Sequence, residues 1–163
     1  MDMGERILAT LIQEFSDLGQ VEHLTRATLR LLLATLLGGL LGYEREVTGK
    51  AAGMRTHMLV CVGAAIFVMA LEQDGAQNDA MSRVIQGITA GIGFICAGTI
   101  LKGRHVADVH GLTTAAGLWT AAAIGVAVGL GREATAVLAT LLVLFVLHVI
   151  PLIFVPGDNG KDP

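Results

Sequence analysis

Residues 109–131, VHGLTTAAGLWTAAAIGVAVGLG, run for 23 positions without an Asp, Glu, Lys or Arg. After Arg132 and Glu133 a second such run, ATAVLATLLVLFVLHVIPLIFVPG, fills 134–157 with 24 residues. A helix needs about 20 predominantly apolar residues to cross about 30 Å of hydrocarbon, so each run is long enough for one transmembrane span. Upstream, 18 uncharged residues separate Arg83 from Lys102. Thr56 to Leu71 is a shorter run of 16, adequate where its flanks reach the headgroups. Leu31 to Tyr43 has only 13, but starting at Leu24 gives 20 when Arg26 and Arg30 occupy the first turns and snorkel to the interface. The expected fold is all-α and integral to a membrane, with five transmembrane helices joined by short loops.

Composition agrees. Of 163 residues 53% are hydrophobic and 15% charged, against about 25% charged in soluble domains, too few to cover a water-facing globule. A net charge of −3 argues against nucleic acid as a partner. Cys61 and Cys96 lie in apolar runs with no metal-ligand spacing, which disfavours a disulfide framework and a zinc site.

The first residues differ. Ile7, Leu8, Leu11, Ile12, Phe15 and Leu18 recur at helical spacing opposite Glu5, Arg6, Glu14 and Asp17, the pattern of an amphipathic helix lying in the interface. A secretory signal fits poorly, because the apolar core is short and no small-residue cleavage site follows. The chain therefore divides into an interfacial helix at 1–22, a membrane domain at 23–156 and a polar tail at 157–163. Placing the turn from Glu44 to Arg55, the turn from Lys102 to Asp108 and the C-terminus in the cytoplasm puts six Lys and Arg inside against five outside. That margin favours an N-terminus outside and a C-terminus inside. A parallel internal repeat is also visible: at an offset of 58, Gly53–Ile66 aligns with Gly111–Ile124 through Gly53/Gly111, Thr56/Thr114, Ala64/Ala122, Ala65/Ala123 and Ile66/Ile124. The first and second spans then correspond to the third and fourth.

Glycines mark the packing faces. Gly38 and Gly42 in the first span, Gly87 and Gly91 in the third, and Gly117, Gly125 and Gly129 in the fourth recur at helical spacing, which lets backbones approach closely. Packing within one protomer is the favoured reading; the alternatives are a homodimer interface, tested at Gly125, and a permeation path, which would make the chain a transporter or channel for a cation or small solute. Ser82, Gln86, Thr89, Gly93 and Cys96 form a polar and small stripe that can face Thr113, Gly117 and Thr120, yet neither stripe carries the carboxylate that a midplane cation site needs.

The densest chemistry lies between the first two spans, in Glu44, Arg45, Glu46, Arg55, Thr56 and His57. Arg45 and Arg55 supply enough donors to pair both carboxylates in a structural clasp. As a ligand site, Glu44, Glu46 and His57 offer donors to a divalent cation, while Arg55 and His57 can hold a phosphate or an acidic lipid headgroup. Lys102, Asp108, Thr113 and Thr114 bring a second cluster to the same face. His105, Asp108 and His110 match no standard metal spacing. No nucleophile elbow, metalloprotease motif or phosphate loop occurs, so no catalytic residue is assigned and an enzyme is not expected. No cofactor is expected either; the alternative is a divalent cation such as magnesium.

At these clusters the chain resembles the MgtC/SapB family of bacterial inner-membrane proteins. The resemblance rests on Gly38-Gly39-Leu40-Leu41-Gly42-Tyr43-Glu44-Arg45-Glu46, on Ala52-Gly53-Met54-Arg55-Thr56-His57, on Gly91-Ile92-Gly93-Phe94, and on Gly111-Leu112-Thr113-Thr114-Ala115-Ala116 with Leu118-Trp119. It covers roughly residues 24 to 150. It implies a polytopic regulator linked to magnesium limitation and, in some pathogens, to survival inside macrophages, with the membrane ATP synthase as a partner. It also implies a short member, without the soluble C-terminal domain of longer ones. Cys96 stands where many members have Gly, which places a bulkier, oxidisable group in the packing seam of the third span. Membrane lipid and a second copy of the chain, most simply a dimer, are the other expected partners.

Overall fold

In a computed structural model, residues 2–14, 21–72, 78–102 and 109–154 are described. They form α1 (Met3–Glu14), α2 (Val21–Val47), α3 (Met54–Glu72), α4 (Asn78–Thr99), α5 (Leu112–Gly129) and α6 (Glu133–Phe154). Two-residue strands β1 (Leu101–Lys102) and β2 (Val109–His110) pair antiparallel across the α4–α5 turn, Leu101 opposite His110. All helices but α1 are long and apolar enough to span a membrane. The interfacial reading of α1 has Ile7, Leu8, Leu11 and Ile12 on an exposed row; Phe15 and Leu18 fall outside the described residues.

α2 is the longest helix, at 27 residues or about 40 Å, so its charged ends project beyond about 30 Å of hydrocarbon. α3 lies between α2 and α5, and glycine sets both contacts. A Cβ on Gly38 would stand 2.7 Å from the His57 carbonyl oxygen, and one on Gly42 would stand 2.5 Å from Met54 Cα. On the other flank, a Cβ on Gly125 would collide with the Cys61 carbonyl, and one on Gly129 would lie 2.8 Å from Val68 Cβ. The tails around a membrane helix are as apolar as its own side chains, so this backbone-to-backbone approach is what favours association. Leu37, Leu41, Cys61, Ala65, Ile124 and Val128 close the core between the three helices. The α2 and α5 ladders are therefore consumed within the protomer.

The α4 ladder is not. A Cβ on Gly87 or Gly91 would meet nothing within 4 Å. α4 instead seats Ile92 and Cys96 against Ala115, Leu118 and Ala122 of α5. Ser82, Gln86, Thr89 and Gly93 are exposed, as is Thr113, so of the two polar stripes that could face each other only Cys96 and Gly117 are buried. The outer face of α6, with Leu138, Leu141, Leu142 and Phe145, is the apolar surface a lipid-facing helix presents.

The repeat extends to contacts. α3 and α5 each begin one residue after the matched Gly53 and Gly111, with His57 N–H donating to the Gly53 carbonyl and Ala115 N–H to the Gly111 carbonyl. The same 58-residue offset pairs Gly38 with Cys96. Gly38 packs under the His57 carbonyl, and the Cys96 thiol donates to the Ala115 carbonyl at 3.1 Å. Cys96 thus occupies the seam expected of it, and its sulfur fills the space that the first hairpin closes with backbone.

Arg30 departs from expectation. Rather than snorkelling freely, it donates from Nη1 to the Gly129 carbonyl at 2.9 Å, and its Nε lies 3.7 Å from the Glu133 carboxylate. It thereby satisfies a carbonyl that the end of α5 leaves without an intrahelical partner. Gly131, at φ +69°, turns the chain back toward α6, and a side chain there would collide with the Arg30 guanidinium.

Candidate functional site

The end of the bundle where α2 and α4 finish and α3 and α5 begin carries the first expected cluster and, of the second, Thr113 and Thr114. α2 stops at a left-handed Gly49, φ +69°, with the Gly49 and Lys50 N–H groups donating to the Glu46 and Arg45 carbonyls. Within this frame the two carboxylates take separate tasks. Glu44 accepts from Arg45 Nε, and the Arg45 side chain is buried, 4% exposed. Glu46 accepts the Met54 N–H at 2.9 Å and so caps the first turn of α3 across the interhelical turn. Gly53 makes room for it: a Cβ there would lie 2.7 Å from Glu46 Oε2.

Of the clasp in which Arg45 and Arg55 would pair both carboxylates, the structure contains the Arg45–Glu44 pair. Arg55 lies on the exposed face of α3 beside exposed Thr56 and makes no hydrogen bond or ion pair among the described residues. Glu46 has no need of it, because the α3 backbone already supplies a donor.

His57 is the least expected part. It is fully buried, and its Nδ1 lies 3.0 Å from the Gly53 carbonyl. A carbonyl only accepts, so Nδ1 carries the proton and Nε2 presents a lone pair. Nε2 has no hydrogen-bond partner among the described residues and points at α5, where a Cβ on Gly117 would stand 3.3 Å away. Gly117 thus serves less as a helix contact than as the space for an imidazole. Thr114, one turn earlier on α5, is buried, whereas Thr113 is exposed. Asp108 and His105 lie outside the described residues, as does the side chain of Lys102.

No group of three or more His, Cys, Asp or Glu side chains converges among the described residues as a metal would require. The cation site drawn from Glu44, Glu46 and His57 is not assembled, since Arg45, the Met54 N–H and the Gly53 carbonyl divide the three. Sequence spacing missed the role of Gly117, which needs a contact between two helices that are not neighbours in the chain. It also missed that of Arg30, although a guanidinium well inside a span is itself a sign of a buried partner.

Comparison with known proteins adds a family. The model of the MgtC family matches residues 31–154. SrpB of Synechococcus elongatus is 42% identical over 131 residues, covering 72% of this chain and 71% of SrpB. MgtC of Salmonella typhimurium is 45% identical over 116 residues, covering 71% of this chain but 48% of MgtC. YhiD of Escherichia coli is 37% identical over 131 residues, 74% of this chain and 59% of YhiD. The chain thus spans about half the length of that MgtC. No solved structure matches. With the five spans and the paired-hairpin core, these matches make the chain a multi-pass membrane protein of the MgtC family.

Proposed function

We propose that this chain is a non-enzymatic regulatory protein of the bacterial inner membrane, N-terminus outside and C-terminus in the cytoplasm. It acts in adaptation to magnesium limitation or intracellular survival by binding another membrane complex, of which the ATP synthase is the candidate. One observation carries this over transport. In the five spans every described Asp and Glu, namely Glu22, Glu44, Glu46, Glu72, Asp79 and Glu133, lies in the first or last turn of its helix. A cation path normally needs a carboxylate near the midplane. The expected result is that inverted membrane vesicles containing the chain show slower ATP-driven proton pumping than vesicles without it, at equal ATP synthase content. Saturable magnesium uptake into proteoliposomes, abolished by Glu44→Ala, would instead establish the transporter reading, for which the partnerless Nε2 of His57 is the supporting observation.

A second copy of the chain is the other proposed protein partner, placed now on α4 rather than at Gly125. The outer face of α4 carries exposed Gln86, Ala90, Gly93 and Ala97, small and polar where α6 presents Leu and Phe. A Gln amide both donates and accepts, so the same residue of a second copy satisfies it. Gly93→Cys should form an oxidative cross-link in membranes, and Leu141→Cys on α6 should not.

A further inference from the structure

Arg55 heads a row of α3 residues, Leu59, Gly63 and Phe67, spaced by four and therefore on one helix face. Those three line a groove of about 650 Å³ between α3 and α4, whose opposite wall includes Gly87 and Gly91. The groove is made by missing side chains: a Cβ on Gly63, Gly87 or Gly91 would meet nothing within 4 Å. It follows α3 for about 12 Å. Leu59 and Phe67 on its rim are exposed, so it opens sideways into hydrocarbon rather than toward water.

Among the described residues no carboxylate is left to pair with Arg55 at that end of α3. Glu44 is taken by Arg45 and Glu46 by the Met54 N–H. Arg55 and Lys50 are both exposed, and neither has a partner among the described residues. An apolar trough with a guanidinium one helical turn beyond its Leu59 end matches a molecule with a hydrocarbon chain and an anionic head. The planar guanidinium fork fits a phosphate in bidentate fashion. A zwitterionic headgroup brings its own ammonium against the same guanidinium and cancels part of the attraction, whereas an anionic one keeps all of it.

We propose that the α3–α4 groove is a binding site for one anionic phospholipid, an acyl chain lying along Leu59, Gly63 and Phe67 and its phosphate held by Arg55. The site is independent of what the protein regulates, and it gives Arg55 a task that the Glu44–Arg45 pair and the Glu46 cap leave open.

Native mass spectrometry of the full chain in mild detergent, titrated separately with phosphatidylglycerol and phosphatidylcholine, tests it. The wild type should retain one phosphatidylglycerol with at least about fivefold lower Kd than phosphatidylcholine, the size expected of one basic side chain facing one net lipid charge at the membrane surface. Arg55→Gln should abolish that preference, and Arg55→Lys should keep part of it. Gly91→Leu, which fills open space, should weaken both lipids alike, and Gly87→Leu one turn away makes the same test independently. Thermal unfolding without lipid should be unchanged in the Arg55 variants and unchanged or slightly raised in the two glycine variants. Equal affinity of the wild type for the two lipids, or a preference that survives Arg55→Gln, overturns the proposal. So does a Gly91→Leu chain that loses a dimer mass while keeping its lipid, because a second copy then occupies the groove.

Discussion

Replacing Gly125 with Ala adds one methyl group at the closest approach of α3 and α5. Its Cβ would stand 2.9 Å from Ala64 Cβ and would overlap the Cys61 carbonyl, which is backbone and cannot rotate away. Restoring ordinary carbon contact near 4 Å requires the two helices to part by about 1 Å, a gap that forfeits a quarter to a half of each dispersion well along the seam. Overpacking of this kind costs about 1–3 kcal/mol, and the unyielding carbonyl places this site near 3. Ala returns up to about 1 kcal/mol through its better helix propensity, leaving a net loss of about 2 kcal/mol. Gly91→Ala keeps the same propensity gain and meets nothing within 4 Å, so it should be neutral or up to about 1 kcal/mol more stable. Unfolding in mixed micelles by SDS titration, followed by circular dichroism, measures the difference, expected at about 2–3 kcal/mol. Ala64→Gly combined with Gly125→Ala should recover less than half, because it relieves the methyl but not the carbonyl. Equal stability of Gly125→Ala and Gly91→Ala would refute the packing of α3 against a glycine face of α5.

Three other outcomes are expected. Glu44→Ala leaves the buried Arg45 without its carboxylate and should destabilise by about 3 kcal/mol, whereas Glu46→Ala removes a helix cap and should lose about 1 kcal/mol; the same SDS titration distinguishes them. Arg30→Gln should lose about 1–2 kcal/mol through the Gly129 carbonyl, and Glu133→Ala under about 1 kcal/mol, since its carboxylate is half exposed; a larger loss for Glu133→Ala would invert the assignment. Cys61 and Cys96 are both buried, so neither should react with a maleimide in mild detergent and both should after unfolding in SDS, with early labelling of Cys96 contradicting the α4–α5 seam.

The five spans were legible because charge is excluded from hydrocarbon, which leaves its trace in single runs of sequence. Span ends were less so: the third run began after Arg83, yet α4 starts at Asn78 and places Arg83 in its second turn. Uncharged runs report where charge is absent, whereas helices continue through charge at an interface. The glycines meet another helix closely on α2 and α5 and open space on α4, since spacing shows that a face is small and not whether another helix covers it. At the site, Glu44, Arg45, Glu46 and His57 were found by type and spacing. Their tasks were not, because a backbone N–H competes for a carboxylate as effectively as an arginine does and carries no letter in the sequence.

The bond between Arg30 and the Gly129 carbonyl joins residues 99 positions apart, and it bears on how the protein enters the membrane. Arg30 sits about 14 Å from the start of α2, which places its Cα roughly 8 Å inside the hydrocarbon if that 40 Å helix is centred in it. Spans emerge in chain order, so α2 is delivered long before Gly129 and Glu133 are synthesised. Until the last hairpin arrives, the first span holds a guanidinium below the surface without either of those two partners. Its final depth is therefore fixed late, and a nascent chain halted before residue 129 should hold α2 shifted toward the side from which Arg30 can reach water.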